Sequence, residues 1–252
     1  MKSLDVLFTP ADFIALKERP LHDAVCVVFD VLRATSTLIT ALAHGAVAIV
    51  PVAEISEALA RRQRDARVLL AGERDGVRIR AALTGGTDFD LGNSPREFTR
   101  ETVAGKTIVV TTTNGTRALQ ACAHAKTVLA GSFLNLQATA DFVRRRNPAT
   151  LLAVCSGTFQ QASHEDVLGA GAFCELVGDL FADADISDSA LMARRLYSLA
   201  RHDLVSAVSQ SRNGRRLLAI PELRDDVAFC LQQDLFSLVA TMTSDGRVVR
   251  AA

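Results

Sequence analysis

The chain has 252 residues, of which 49% are apolar, 28 are basic and 28 are acidic. That length and apolar content suffice for one large core, which predicts a single α/β domain over residues 1–252. A net charge of zero removes the global attraction that brings a protein to nucleic acid or to an anionic membrane, so any anion binding has to be local.

Residues 4–8 predict a short first strand and residues 10–18 a turn into a short helix. Residues 25–29, Val-Cys-Val-Val-Phe, predict a second strand, apolar on both faces, that ends at Asp30. A carboxylate at the C-terminal edge of such a strand stands where open α/β sheets place their ligands. The same residue could instead accept hydrogen bonds from the adjoining turn. Arg33 needs a partner there, either Asp30 or a bound anion. Thr35, Ser36 and Thr37 can cap a helix that runs to about residue 44.

Residues 47–50 predict a third strand, closed by Pro51. Residues 53–64 predict an amphipathic helix with basic residues in its last turn, as the helix dipole prefers. A fourth strand over residues 68–71 leads into Gly72-Glu73-Arg74-Asp75-Gly76, a polar loop that is a candidate wall of a site. A long irregular segment then reaches Asn93, a turn residue or a ligand donor, and Ser94, which with Pro95 and Glu97 makes a competent helix start.

The most informative stretch begins at Thr107. A β-branched run stops at Asn114-Gly115 and a helical apolar pattern begins at Ala118, so a buried strand delivers its end to a helix N-terminus. Such junctions bind anions. The first N–H groups of the helix have no intrahelical acceptor, Gly115 admits a ligand close to the main chain, and Arg117 adds a guanidinium at the same end. The segment around Asp30 is an earlier copy of this device. The two align without gaps, Ala41-Leu42-Ala43-His44 matching Ala121-Cys122-Ala123-His124, and the strands over residues 47–50 and 127–130 fall in the same frame. Two matched units predict a pair of related α/β halves around one cleft rather than a solenoid.

Residues 131–135 start a helix that runs to residue 146, and residues 151–154 predict a strand. Cys155-Ser156-Gly157 then opens a loop into Ser163-His164-Glu165-Asp166. Ser163 and Asp166 have the spacing of a capping box, whereas two adjacent carboxylates beyond a strand end also suit a hard divalent cation. A core face comes next at Val167, Ala170, Gly171, Cys174, Val177 and Phe181. Residues 187–210 predict a further helix, Asn213-Gly214 and Pro221 punctuate the chain beyond it, and residues 225–231 form a short helix. Residues 235–241 and 246–249 predict a closing C-terminal β-hairpin. The expected fold is thus α/β, with mixed, largely parallel sheets flanked by helices. Five cysteines scattered through apolar runs, the lack of a CxxC pair, and the absence of a stretch of membrane-span length predict a cytoplasmic protein with reduced thiols.

Six segments together carry a resemblance: residues 30–37, Gly72-Glu73-Arg74, residues 89–95, residues 111–117, residues 131–135 and residues 165–171. In this order they resemble the signature blocks of the 2-phosphosulfolactate phosphatase family and cover most of residues 25–175. The resemblance implies an α/β fold of the family's own and a magnesium-dependent phosphatase that hydrolyses 2-phosphosulfolactate to sulfolactate in coenzyme M biosynthesis.

Phosphoryl transfer from a small polyanion asks mainly for charge neutralisation and in-line positioning. On this reading Arg33, Arg117 and Arg74 clamp oxygens, and Thr113, Asn114, Gly115 and Thr116, with Asn93, hold the substrate. Mg²⁺ is held by carboxylates drawn from Asp30, Glu73, Glu165 and Asp166. A metal-activated water is the first choice of nucleophile and an aspartyl-phosphate on Asp30 the second. A cysteinyl-phosphate on Cys155 is the third, since the Cys-x5-Arg spacing is missing. The expected partners are a small phosphorylated, sulfonated or carboxylated substrate and a second copy of the chain in a homodimer, with no nucleic acid and no membrane. The competing reading is a phospho-metabolite sensor that uses the arginines and glycines without turnover, or a phosphatase of another phosphorylated carboxylic acid.

Overall fold

Every residue of the run Ala24–Phe29 is buried, so this strand has to be covered on both faces. A computed structural model, which describes residues 2–16 and 18–251, shows how. The strands are β1 (Ser3–Leu7), β2 (Ala24–Phe29), β3 (Ala48–Pro51), β4 (Leu69–Arg74), β5 (Val77–Arg78), β6 (Thr107–Thr111), β7 (Thr127–Gly131), β8 (Thr150–Cys155), β9 (Asp185–Ile186), β10 (Ala240–Met242) and β11 (Val248–Arg250). They form one sheet in the order β5-β4-β6-β3-β11-β10-β7-β2-β8-β1-β9.

The sheet has two parallel arms. In one, β2 lies between β7 and β8, with β1 and β9 beyond, all parallel. In the other, β6 lies between β3 and β4, again parallel, and β5 turns back antiparallel at the edge. The C-terminal hairpin β10–β11 joins the arms by antiparallel pairing with β7 and β3. Mixed α/β architecture and the hairpin thus agree with the expectation. The two matched strand–helix–strand units do not stand side by side as lobes. The unit β2, helix Ala34–Ala43, β3 crosses from the first arm to the second, and the unit β6, helix Gly115–Ala121, β7 crosses back.

Alternation along β2 explains the layers. Cys26 and Val28 face a core shared with Leu38, Ile39 and Leu42 of the first crossover helix and Ala118 and Leu119 of the second. Val25, Val27 and Phe29 face the opposite core, made with the helices Leu136–Arg146 and His164–Val177. Both crossover helices therefore lie on one face of the sheet and start beside each other. The five cysteines are free and buried.

Several local expectations change once long-range partners are present. The segment 187–210 is two helices, Asp188–Ala200 and Leu204–Ser209, the second capped by the Asp203 side chain accepting from the Ser206 N–H. Asn213-Gly214 does not break the chain but lies inside helix Arg212–Leu218, which Ser211 caps. Of residues 235–241 only the end pairs as strand. Ser94 caps nothing, because its hydroxyl donates to Asp226 Oδ1 at 2.7 Å. Lys17, within the expected helix over residues 10–18, lies outside the described residues; the helix present is Asp12–Leu16.

Candidate active site

Asp30 comes directly after the last residue of β2 and sits where the two crossover helices begin. Its Oδ1 accepts the Ala34 N–H at 3.0 Å, closing the first turn of helix Ala34–Ala43. Its Oδ2 faces the start of the other helix so closely that a Cβ on Gly115 would lie 2.7 Å from it and 2.6 Å from the Ala34 Cβ. Only glycine allows this approach. Burial pushes the Asp30 carboxyl up to about 6; the Ala34 N–H and the Ser156 hydroxyl oppose the shift, and the charges of Glu73 and Glu165 add to it.

Across the cleft, β4 and β5 are joined by Asp75-Gly76 with φ of 57° and 81°, the positive values a tight two-residue hairpin requires. Two side chains fix this tip. Glu73 Oε2 accepts the Gly76 N–H at 2.7 Å, while its Oε1 accepts both the backbone N–H and the hydroxyl of Thr113, at 2.8 and 2.9 Å. Arg33 donates to the Gly76 carbonyl at 2.6 Å and to Asp226 Oδ2 at 2.7 Å. Asp226, on helix Arg224–Cys230, also accepts from Ser94 and from Arg96 Nε.

Below, helix His164–Val177 presents two carboxylates with different duties. Asp166 accepts from the Val31 N–H at 2.8 Å and from the Ser156 hydroxyl and Gly157 N–H, both at 3.1 Å. It ties the loop after β8 to the turn after β2. Burial, with the charges of Asp30 and Glu165, pushes its carboxyl well above the usual carboxylate range. Glu165 Oε1 accepts from Asn213 Nδ2 at 2.6 Å, whereas Oε2 is buried with no partner among the described residues. Asn213 also donates to Thr158. The expected capping box is absent, since the Ser163 hydroxyl pairs with Thr158 instead of the helix.

These elements border a cleft, open to solvent, lined by Asp30, Arg33, Glu73, Asn93, Thr113, Asn114, Asp166, Asn213 and Arg216 among others. The structure thus brings together, from distant segments, most of the residues the sequence pointed to. Gly115 and Thr116 are buried behind Asn114, at the start of the second crossover helix. Glu165 sits behind the cleft wall at the helix start, joined to it through Asn213. Two arginines stand elsewhere. Arg74 turns its guanidinium to the carbonyl of Glu73 and the hydroxyl of Thr111, away from the cleft. Arg117 is exposed and lines a neighbouring groove with Phe13, Ser156 and Gln160, which shares only Asn114 and Phe159 with the cleft. Cys155 lies in the core with its thiol pushed up by burial, so it does not present a thiolate to the cleft.

Asn213, Arg216 and Asp226 were not marked as site residues by sequence reasoning. They sit on short C-terminal helices with no motif around them. Their one signal was indirect: Arg33 and Glu165 are charges that need partners, and the sequence between residues 25 and 175 does not supply them all.

The site carries an excess of buried carboxylate, which is what a divalent cation neutralises. Among the described residues no group of three or more His, Cys, Asp or Glu side chains is gathered to cage a metal. Glu73 and Asp166 spend both oxygens on backbone and hydroxyl donors. Asp30 Oδ2 is the cleft-lining carboxylate oxygen left for a cation, while the orphaned Glu165 Oε2 lies behind the wall, and Mg²⁺ uses one or two carboxylates when waters and substrate phosphate complete its shell. The residues fit such a substrate-completed site.

A buried acid, a fixed guanidinium and a floor of small polar groups at strand ends make a cleft suited to a small anionic ligand, and the family and relatives that the chain matches make it a phosphoric monoester hydrolase. Residues 13–245 match the family described as 2-phosphosulpholactate phosphatase, and the chain belongs to it. A relative from Caldicellulosiruptor saccharolyticus named probable 2-phosphosulfolactate phosphatase is 39% identical over 223 residues, 87% of this chain and 89% of its own. Relatives of the same name from Pseudothermotoga lettingae and Carboxydothermus hydrogenoformans are 38% and 37% identical over 98% of this chain, and over 99% and 96% of theirs.

Proposed function

We propose that the chain hydrolyses 2-phosphosulfolactate to sulfolactate and phosphate in a magnesium-dependent reaction. The observation that carries this reading is spatial: residues from separate family-like segments, Asp30, Arg33, Glu73, Asn93, Asn114 and Asp166, close around one cleft. The substrate carries a phosphate, a carboxylate and a sulfonate, so binding it demands cations where the bare site has acids. When bound, Mg²⁺ supplies charge neutralisation at the phosphoryl group and lowers the pKa of an attacking water. Asp30 would hold it, with the charge of Glu165 behind the wall adding to the attraction.

The chain's own groups do the rest. Arg33 has two N–H groups taken by Asp226 and Gly76, which aims its planar fork and leaves other donors for a phosphoryl oxygen. The Asn93 amide oxygen, buried without a partner among the described residues, stands at the cleft wall ready to accept from a water. Asp166 and Glu73 hold the loops after β2, β8 and β6 in place, so the cleft is preorganised before substrate arrives. Cytoplasmic residence and a homodimer belong to the same reading.

Phosphate release from synthetic 2-phosphosulfolactate, with Mg²⁺ and then with EDTA, tests it. Turnover lost on chelation and restored by Mg²⁺ is the expected result. Binding without turnover under both conditions establishes the sensor instead.

A further inference from the structure

Arg33 and Arg216 are the cations that line the cleft, and they are held very differently. Arg33 is buried against Asp226 at 2.7 Å. Arg216, on the rim, faces Asp75 Oδ1 at 3.3 Å, and Asp75 is 86% exposed. A pair of that kind contributes little and exchanges partners readily. The backbone under Arg216 is nonetheless fixed. Ser211 caps its helix, and Asn213, one turn before Arg216, is bound to Glu165 and Thr158. Asn213, Arg216 and Leu217 all line the cleft, which makes this helix one of its walls. Gly76, at the hairpin tip, lies against the guanidinium, its Cβ position 3.7 Å from Arg216 Nε.

We propose that Arg216 is the specificity-determining residue that takes the sulfonate of the substrate, exchanging Asp75 for it on binding. This rests on the phosphatase reading above. The geometry of the molecule assigns the arms: the carboxylate is attached to the same carbon as the ester oxygen, whereas the sulfonate stands one methylene farther out. A phosphate at the floor, beside Asp30 and Asn114, therefore leaves the sulfonate to reach toward the rim. There the flexible guanidinium presents a planar fork of donors to the sulfonate oxygens.

The test compares 2-phosphosulfolactate with 2-phospholactate, which keeps the ester and the carboxylate but has hydrogen in place of the sulfonate. The readout is the ratio of the two kcat/KM values, together with calorimetric binding of sulfolactate against lactate. In Arg216→Ala the ratio is expected to fall roughly tenfold to hundredfold, the range set by one charge-assisted contact, mainly through KM. Arg216→Lys restores part of it. An Arg117→Ala comparator leaves the ratio near that of the unaltered enzyme. An unchanged ratio in Arg216→Ala, or a fall seen only in Arg117→Ala, overturns the assignment. Failure of the unaltered enzyme to hydrolyse 2-phosphosulfolactate would instead sink the phosphatase reading, and a loss of preference for sulfolactate over lactate in Arg216→Ala would still support the sulfonate contact.

Discussion

Arg33 Nη1 and Asp226 Oδ2 stand 2.7 Å apart, with the two side chains 3% and 0% exposed. The pair fastens the C-terminal helices to the turn after β2, so removing one partner leaves the other charge buried. Asp226→Asn is expected to lower unfolding stability by about 3–5 kcal/mol. Arg96→Ala, which deletes a half-exposed donor to the same carboxylate, is expected to cost below about 1 kcal/mol. Urea unfolding of the two variants checks the difference; equal losses would show that burial of the pair does not govern it.

Buried Asp30 costs stability at neutral pH. Its carboxyl rises from 3.8 to about 6 on folding, so the folded state holds the proton more tightly than the unfolded one. Stability from this group is full below pH 3.8, declines as pH rises, and is lost above pH 6, a difference of about 3 kcal/mol. Asp30→Asn should therefore abolish turnover while raising Tm more at about pH 7.5 than at about pH 4. A Tm gain that does not depend on pH removes burial as the cause.

The same shift sets the acid limb of activity. A carboxylate that binds a cation has to be ionised, so at limiting Mg²⁺ kcat/KM is expected to fall as pH drops through about 6 and to level off above it, and saturating Mg²⁺ is expected to move that limb lower. A profile flat down to about pH 4.5 at limiting Mg²⁺ would remove Asp30 from the essential groups.

Gly115→Ala places a methyl 2.6 Å from the Ala34 Cβ and 2.7 Å from Asp30 Oδ2. Neither neighbour is the end of a flexible chain. The expected cost is about 1–3 kcal/mol, and because the strain falls on Asp30, kcat should drop more than thermal stability suggests. Wild-type kinetics in this variant would mean that the two crossover helices are not held this close.

Arg74 spends its guanidinium on Thr111 and on the Glu73 carbonyl. Arg74→Ala is expected to reduce stability by about 1 kcal/mol and to change kcat/KM by less than about threefold. A loss comparable to that of Arg33→Ala would place it on the substrate after all.

The strands, the two matched junctions and the acids at their ends were legible in the residues themselves. A β-branched run that stops at Asn-Gly, or an apolar run that stops at Asp, states its conformation within a few positions, because backbone preference and strand burial are local matters. Asp30, Thr113 and Asn114 were found that way. The capping patterns misled for a complementary reason: Ser94 and Ser163 have the right spacing, yet each hydroxyl meets a stronger long-range partner, Asp226 in one case and Thr158 in the other.

What the sequence alone determined is the set of strand-end junctions and the acids they carry. Only the tertiary structure decided that the two crossover units interlock, that Arg33 is matched by a carboxylate 193 positions away, that Arg117 faces a different groove, and that Arg216 forms the rim. Such pairings depend on which surfaces are buried against each other. Local spacing foretold the C-terminal hairpin but not that it joins the two arms by pairing with β7 and β3, because that pairing is long-range.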